Sequence, residues 1–289
     1  MSEAQTIQWF PGHMTKTKRQ IEKSLKLVDV AAEIIDARIP VSSRNPILNG
    51  LIQTKPRVIL MNKCDMADSV QTGRWIDYYK TQGIPAIAID CRTGKGLNGF
   101  MPLVKNVLSD RIASWEAKGM VGRQIRVMIV GIPNVGKSSL INRLAKNSKA
   151  NVEDRPGVTR SNQWFTIGKG FELLDTPGVL WPKFEDKAVG ERLAFTGAVK
   201  DEVVDTEHLA SRLLEVLRDS YPRELTERYK LESIDIADLK GYEILELIGR
   251  KRGMLISGGE IDLERASIMI LDEFRSAKLG KITLEQVGR

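Results

Sequence analysis

The sequence predicts an α/β fold in which a doubly wound, mostly parallel sheet is followed by a small all-helical domain. Short β-branched runs alternate with segments of helical periodicity through the first 182 residues, which is typical of such a sheet. Several of these runs end in polar or glycine-containing turns, and ligands bind at that edge of a parallel sheet. After Pro182 the strand pattern stops. We therefore predict a first domain at residues 1–182 and a helical domain at residues 183–289.

The predicted elements follow one another in a regular order. An amphipathic helix over residues 15–28 carries its basic side chains on one face. Strands are predicted at 30–35, 57–61, 85–89, 125–130 and in two pieces between 164 and 175, and helices at 71–82, 97–118 and 137–146. In the second domain Asp205 is placed to cap a helix, and another apolar helical face runs from Leu263 to Phe274.

Composition and charge narrow the class of protein. The chain has 289 residues, 42% of them hydrophobic and 28% charged, which is typical of a globular protein with a sizeable core. No apolar run reaches the roughly 18–20 residues that span a bilayer, and no signal peptide is visible. The two cysteines fit neither a disulfide framework nor a zinc site, so a cytoplasmic location is expected. Residues 1–182 have a net charge of +11, and residues 183–289 have a net charge of −4. The positive charge of the first domain predicts a polyanionic partner. The alternative is that this charge serves solubility alone.

A glycine-rich loop, Gly131–Ser138, joins a predicted strand to a predicted helix. It matches G-x-x-x-x-G-K-[ST], in which backbone N–H groups and a helix N-terminus cradle phosphates. Lys137 is predicted to bridge the β- and γ-phosphates, and Ser138 to hold magnesium. The residues of this loop predicted to contact the nucleotide are Asn134, Val135, Gly136, Lys137, Ser138 and Ser139.

The segment Asn62-Lys63-Cys64-Asp65 matches N-K-x-D, the guanine-reading motif. The Asp65 carboxylate can accept hydrogen bonds from guanine N1–H and the N2 amino group, and adenine lacks this donor pair. The stem of Lys63 is expected across the base, with its ammonium on the phosphate loop, and Asn62 is expected to brace the loops.

Two further turns complete the predicted site. Asp90 and Cys91 follow the strand at 85–89, and the Cys91 N–H is expected to contact guanine O6. Asp175 and Gly178 fit D-x-x-G: the Gly178 N–H would reach the γ-phosphate, and Asp175 would approach magnesium through water. Thr159 is expected to bind magnesium when a γ-phosphate is present, and the alternative is an ordinary turn residue.

The base-reading motif precedes the phosphate loop, which reverses the order found in ordinary GTPases. The chain therefore resembles the circularly permuted P-loop GTPases. Within them, Trp9–Met14 and Asp36–Pro40 resemble the ribosome biogenesis GTPase A (YlqF-related) family, over essentially the whole chain. The permuted family that serves the small subunit does not fit, because its zinc-binding extension needs more than two cysteines.

The resemblance implies a GTPase that hydrolyses GTP to GDP and phosphate with Mg²⁺, and that is stimulated by the ribosomal particle. It implies late assembly of the large ribosomal subunit as the process, with the subunit precursor and its rRNA as partners and without membrane or DNA. It also implies that the helical domain is similar to RNA-binding antitermination regulators. We expect the protein to be a monomer. Two alternatives stay open: a nucleotide-gated RNA-binding module with little turnover, and a P-loop ATPase or kinase.

Val179 stands where many GTPases have a water-orienting glutamine, and valine cannot position water. The resemblance points to His13 as the catalytic group beside Lys137 and Gly178, because an imidazole can align the attacking water. A structural or RNA-contacting role for His13 is the alternative. For Asn134 the resemblance implies potassium binding, and the alternative is that it stabilises the loop.

Two basic clusters are candidate RNA contacts, with a solvated surface as the alternative. One cluster follows His13, and the other interrupts an otherwise acidic domain. Their members are Lys16, Lys18, Arg19 and Lys23 in the first, and Arg250, Lys251 and Arg252 in the second.

Overall fold

A computed structural model describes residues 11–148, 152–153, 163–168, 170–181, 186–199, 201–232 and 236–288, without the side chains of 11–17, 147, 148, 152, 153 and 203. The chain divides into two compact units. The larger unit contains residues 8–65, 69–182 and 285–289. The helical unit is built around residues 183–284 and also holds Met66–Asp68.

The described part of the larger unit contains a seven-stranded sheet, and this confirms the α/β prediction. Its strands are β1 (Val30–Asp36), β2 (Arg57–Asn62), β3 (Ala86–Ala88), β4 (Ile125–Val130), β5 (Val152–Glu153), β6 (Trp164–Ile167) and β7 (Phe171–Leu174). The spatial order is β3-β2-β1-β4-β7-β6-β5, with parallel pairing from β3 to β7 and antiparallel pairing at β6 and β5. The two-residue strand β5 was not predicted, because it is too short to show a periodicity.

Helices of the larger unit connect these strands. They are α1 (Pro11–Leu25), α2 (Pro46–Ile52), α3 (Ser69–Thr81), α4 (Phe100–Val107), α5 (Ser109–Ala117) and α6 (Lys137–Ser148), with a 3₁₀ turn at Leu97–Gly99. The prediction of one continuous helix over 97–118 is wrong. The buried residue Leu108 has φ −103° and ψ 10°, which lies outside helical geometry and separates α4 from α5.

The register of the central strands sets the position of the polar turns. All seven residues of β1 are buried, as expected for a central parallel strand. Asp36 at the end of β1 pairs in register with Asn62 at the end of β2. β4, the other neighbour of β1, leads directly into the glycine-rich loop. The two motifs therefore leave the same edge of the sheet, although they lie far apart in sequence.

The helical unit contains α7 (Lys187–Phe195), a 3₁₀ turn (Asp201–Val203), α8 (Thr206–Ser220), α9 (Pro222–Tyr229), α10 (Gly241–Lys251) and α11 (Leu263–Arg275). α8 packs against both α10 and α11. The predicted cap of α8 is confirmed, because the Asp205 carboxylate accepts from the His208 N–H at 3.0 Å. Among the described residues, no helix has the length and apolar character that crossing a bilayer requires.

Candidate nucleotide-binding site

The Asn62 side chain joins the base-reading segment to the phosphate loop. Its Nδ2 donates to the Val135 carbonyl at 2.7 Å, and its Oδ1 accepts from the Cys91 N–H at 3.0 Å. Asn62 is 4% exposed, so both hydrogen bonds are shielded from water. One buried amide thus holds together three turns that are separate in sequence, as the predicted bracing role of Asn62 requires.

Two glycines are needed because other groups approach their backbone closely. A Cβ on Gly136 would overlap the Asn62 amide, and the Gly136 φ of 104° disfavours any side chain. A Cβ on Gly178 would lie 2.7 Å from Lys137 Nζ and 2.9 Å from Pro133 N. The D-x-x-G turn therefore lies directly against the phosphate loop.

Lys137 is folded back onto the phosphate loop. Its Nζ donates to the carbonyls of Gly131 at 3.1 Å and Ile132 at 2.7 Å. Burial lowers the pKa of Lys137 to about 8, and the nearby Asp175 carboxylate offsets part of this shift. A buried ammonium next to an anion cradle is held ready for a phosphate, which would supply the charge that burial removed.

A cavity of about 470 Å³ lies in front of this lysine. It is lined by Pro133, Asn134, Lys137, Ser138, Gln163, Asp175, Thr176, Pro177 and Gly178. Asp175 Oδ1 is buried without a hydrogen-bond partner, and burial raises the pKa of Asp175 against the effect of Lys137. A buried carboxylate oxygen and the Ser138 hydroxyl in one cavity are oxygen donors of the kind that Mg²⁺ takes, so these residues fit the ion.

Lys63 differs from its prediction in one respect. Its backbone has a positive φ of 61°, and its Nζ lies 2.9 Å from Asp36 Oδ2. The ammonium therefore pairs with the end of β1, and the expectation that it lies on the phosphate loop is wrong. The physical reason is that parallel pairing of β1 and β2 brings Asp36 next to the base-reading turn.

Asp65 and Asp90 both contact the turn that follows β3. Asp65 Oδ2 lies 3.2 Å from the exposed guanidinium of Arg92. Asp90 accepts from the Arg92 N–H at 2.8 Å and from the Thr93 hydroxyl, which fixes the turn after β3. Asp90 thus fixes this turn, and its part in nucleotide binding stays a prediction.

Cys91 and Cys64 are held by their backbones. The Cys91 N–H donates to Asn62, so the expectation that it contacts guanine O6 is not met in this geometry. The Cys64 N–H donates to the Ile89 carbonyl at 3.2 Å. Burial raises the pKa of the Cys91 thiol to about 12 and also raises that of Cys64, which keeps both thiols protonated.

Other predicted residues are less fully described. Thr159 lies outside the described residues, and His13 and Lys16 are described by their backbone in α1 alone. Asn134 lines the cavity with φ 61°, a conformation that asparagine tolerates. Ser139 is exposed and is not among the cavity-lining residues.

The basic clusters are exposed where their side chains are described. Lys18, Arg19 and Lys23 lie on the polar face of α1. In the second cluster, the Lys251 ammonium donates to the Lys230 carbonyl and Arg252 to the Arg228 carbonyl at 3.3 Å. Lys251 and Arg252 therefore cap the end of α9, which sequence reasoning did not detect.

Three residues near the site were missed by sequence reasoning. Gln163 lines the cavity just before β6. The Gln163 carbonyl accepts from the Asp175 N–H at 3.1 Å. Arg143 in α6 donates to the Thr93 carbonyl. Asn45 donates to the Val179 carbonyl at 2.7 Å. None belongs to a sequence motif, so tertiary contact was needed to find them.

A mostly parallel sheet, a phosphate loop after β4, and a base-reading turn that comes earlier in the chain but lies at the same site define a circularly permuted P-loop GTPase. A family model described as 50S ribosome-binding GTPase matches residues 126–240. That match begins at β4, as expected when the preceding motifs have been moved to the front of the chain.

Relatives narrow the class further. Ribosome biogenesis GTPase A of Bacillus licheniformis is 48% identical, over 97% of this chain and 98% of its own. A GDP-bound structure of TM YlqF has a TM-score of 0.68 at 29% identity, over 94% of this chain and 100% of that one. A crystal structure of GNP-bound YlqF from T. maritima has a TM-score of 0.65 at 28% identity, over 94% and 98%. This chain belongs to the ribosome biogenesis GTPase A family. It is therefore a GTP hydrolase that binds GTP and GDP. The alternative of a P-loop ATPase does not agree with membership of this family.

Proposed function

We propose that this chain docks in its GTP state on the precursor of the large ribosomal subunit, hydrolyses GTP when the particle stimulates it, and leaves with GDP. The observation that carries the proposal is the Asn62 bridge, because it joins the base-reading segment to the phosphate loop, and binding of one nucleotide by both segments requires such a connection. The description of the matching family model, a 50S ribosome-binding GTPase, supports this choice of particle.

In this proposal, different site residues bind different parts of the nucleotide. Asp65 accepts from the guanine donors, and the N–H groups of the loop that ends at Ser138 surround the phosphates. Lys137 bridges the β- and γ-phosphates, and the Gly178 N–H meets the γ-phosphate. Bound magnesium would neutralise charge on the phosphates. The residues that would hold it are Ser138, Thr159 and Asp175.

Hydrolysis by the chain alone should be slow. Val179 is 8% exposed and packs in a core cluster with Leu48, Ile52 and Leu174, so its side chain cannot orient water. In this proposal His13 aligns the attacking water, and a potassium ion near Asn134 offsets transition-state charge in place of an arginine finger.

Docking on rRNA uses the basic clusters in this proposal. The exposed side chains of Lys18, Arg19 and Lys23 would contact phosphates, as would Arg250 at the end of α10. The GTPase domain would span residues 1–182 and the RNA-binding domain residues 183–289, in a monomeric cytoplasmic protein. The second domain begins only a few residues after Gly178. Release of the γ-phosphate would displace Gly178, and this displacement would be transmitted along the chain to the second domain.

The test is sedimentation of the full chain with purified large subunits in a GTP analogue, GDP or no nucleotide, at increasing salt. We expect cosedimentation with the analogue, loss with GDP, and a steep fall in binding with salt. Large subunits should also accelerate GTP hydrolysis, and His13→Ala should remove this acceleration while leaving GDP binding unchanged. Equal binding to small subunits, or equal hydrolysis with and without particles, would refute the proposal.

A nucleotide-gated RNA-binding module with little turnover is the second candidate, because Val179 removes the usual water-orienting group. Multiple-turnover hydrolysis with catalytic amounts of protein and excess large subunits separates the two. Many GTP molecules hydrolysed per protein indicate an enzyme, and a single turnover indicates a gated module.

A further inference from the structure

The Asp36-Ala37-Arg38 segment is the motif that the catalytic and phosphate-binding assignments leave without a role. It follows β1 directly, and its Ala37 N–H donates to the Asn62 carbonyl at 2.8 Å. The segment therefore lies beside the base-reading turn.

Asp36 and Arg38 form a buried ion pair. Arg38 Nε lies 3.0 Å from Asp36 Oδ1, and Arg38 Nη2 lies 2.8 Å from Oδ2. The side chain of Arg38 is 2% exposed and that of Asp36 is 3% exposed, so the pair is shielded from water. Oδ1 also accepts the Arg38 N–H at 3.0 Å, which fixes the turn. Such a pair is costly to bury, and hydrophobic residues would often serve stability as well. Burial of this ion pair is therefore weak evidence for a role in stability.

Asp36 Oδ2 is shared with the base-reading motif. It lies 2.9 Å from the ammonium of Lys63, whose backbone stands at φ 61°. A non-glycine residue in this region costs free energy and persists where surrounding contacts hold it. Burial alone would raise the pKa of Asp36, but Arg38 and then Lys63 lower it well below its usual range. Asp65 in turn attracts Arg38. The four charges form a connected group of two acids and two bases.

We propose that Asp36 is a positioning residue for guanine, which holds Lys63 so that its stem covers the base and Asp65 faces the guanine donors. The proposal rests on the nucleotide site described above and adds a residue to it. Arg38 neutralises Asp36 and fixes its rotamer. The pair acts on base selection, because its contact with the nucleotide site runs through Lys63.

The test compares two double variants, each of which replaces both partners of one ion pair in the larger unit. D36N/R38M removes the pair that holds Lys63. E33Q/R44M removes the pair between Arg44 Nη2 and Glu33 Oε2 at 2.8 Å, which starts from the same strand but does not contact the base-reading turn. Dissociation constants for GDP and ADP are measured by calorimetry, and folding is followed by thermal unfolding.

We expect D36N/R38M to weaken GDP binding about tenfold or more and to leave ADP binding unchanged, so the GDP-to-ADP preference falls. E33Q/R44M should keep the wild-type preference. A general loss of structure would weaken both nucleotides together, which distinguishes it from lost base positioning. A folded D36N/R38M protein with wild-type preference would overturn the inference. Should the double variant not fold, Asp36→Glu keeps every charge and displaces the carboxylate by about 1.5 Å; wild-type preference in that variant would equally overturn it.

The outcome also separates this inference from the function on which it rests. A wild-type protein that binds GDP and ADP equally would refute the guanine site and the role of Asp36 with it. A wild-type preference for GDP that survives in both double variants would refute the role of Asp36 alone.

Discussion

At the scale of single residues, the Asn62 side chain connects the base-reading segment with the phosphate loop and with the turn after β3. Its amide satisfies one carbonyl and one N–H from two different turns, and both partners are buried. Replacing it leaves these groups without partners, which costs more than the loss of a surface hydrogen bond.

Asn62→Ala should lower the free energy of unfolding by about 1–3 kcal/mol and weaken GDP binding by about 10- to 100-fold. The reason is that the Val135 carbonyl and the Cys91 N–H would be stranded. Urea unfolding and calorimetry measure the two effects. Asn98→Ala, at an exposed asparagine in the 3₁₀ turn before α4, is the control and should change neither. Wild-type GDP affinity in Asn62→Ala would contradict the bridging role.

The protonation of Lys137 gives a prediction on pH. Its pKa is about 8 in the nucleotide-free protein, and phosphates would raise that pKa when they bind. Above pH 8 the free lysine has lost its proton while the bound lysine keeps it, so binding takes up a proton and weakens as pH rises. Uptake should grow from roughly a quarter of a proton at pH 7.5 to roughly three quarters at pH 8.5.

Calorimetry of GDP binding in buffers with different ionisation enthalpies measures this uptake. Lys137→Arg stays charged throughout and should lose the pH-dependent part in so far as it still binds. Proton uptake that is the same at both pH values would show that Lys137 is fully protonated before the nucleotide arrives.

At the scale of elements, the start of α2 is tied to the residue after D-x-x-G. Asn45 Oδ1 accepts from the Ile47 N–H at 2.9 Å and so caps the helix, while its Nδ2 donates to the Val179 carbonyl. Asn45 is 1% exposed and Val179 lies in the core cluster beside Leu48. A helix cap and the residue after the D-x-x-G turn therefore depend on the two polar atoms of one amide.

Asn45→Asp keeps the capping oxygen and removes the donor to Val179. We expect it to change the ratio of affinities for a GTP analogue and GDP, because the turn after Gly178 is released. Asn45→Ala should lose the cap as well and lower the free energy of unfolding by about 1 kcal/mol more. Calorimetry and urea unfolding measure these effects. An unchanged affinity ratio in Asn45→Asp would show that the contact serves packing alone.

At the scale of the whole molecule, Glu285 near the end of the sequence contacts residues 41 and 42 in its first quarter. Glu285 belongs to the larger unit, and its carboxylate accepts from the N–H groups of Val41 at 2.6 Å and Ser42 at 3.0 Å. The Glu285 carbonyl accepts from the Trp75 Nε1–H at 2.9 Å. The polypeptide thus leaves the larger unit at about residue 182 and re-enters it at residue 285.

Glu285→Ala should lower the free energy of unfolding of the larger unit by about 2–4 kcal/mol, because the N–H groups of Val41 and of the buried Ser42 lose a charged acceptor. Amide hydrogen exchange of Val41 and Ser42 should become faster, and this local measurement does not depend on two-state unfolding. Gln286→Ala at the next position is the control. Unchanged exchange at both amides would refute the role of Glu285.

The sequence by itself determined the α/β class, the reversed order of the motifs and the residues that form the phosphate loop. These follow from local chemistry: a phosphate loop needs glycines, a lysine and a hydroxyl at fixed spacing, and strands and helices differ in their periodicity. The tertiary structure decided which partners the long polar side chains take. Lys63 pairs with Asp36, Asn45 holds Val179 and Asn62 engages Cys91 because parallel strand pairing and loop packing bring these residues together. Such contacts join residues between 27 and 134 positions apart, a separation at which no local pattern exists.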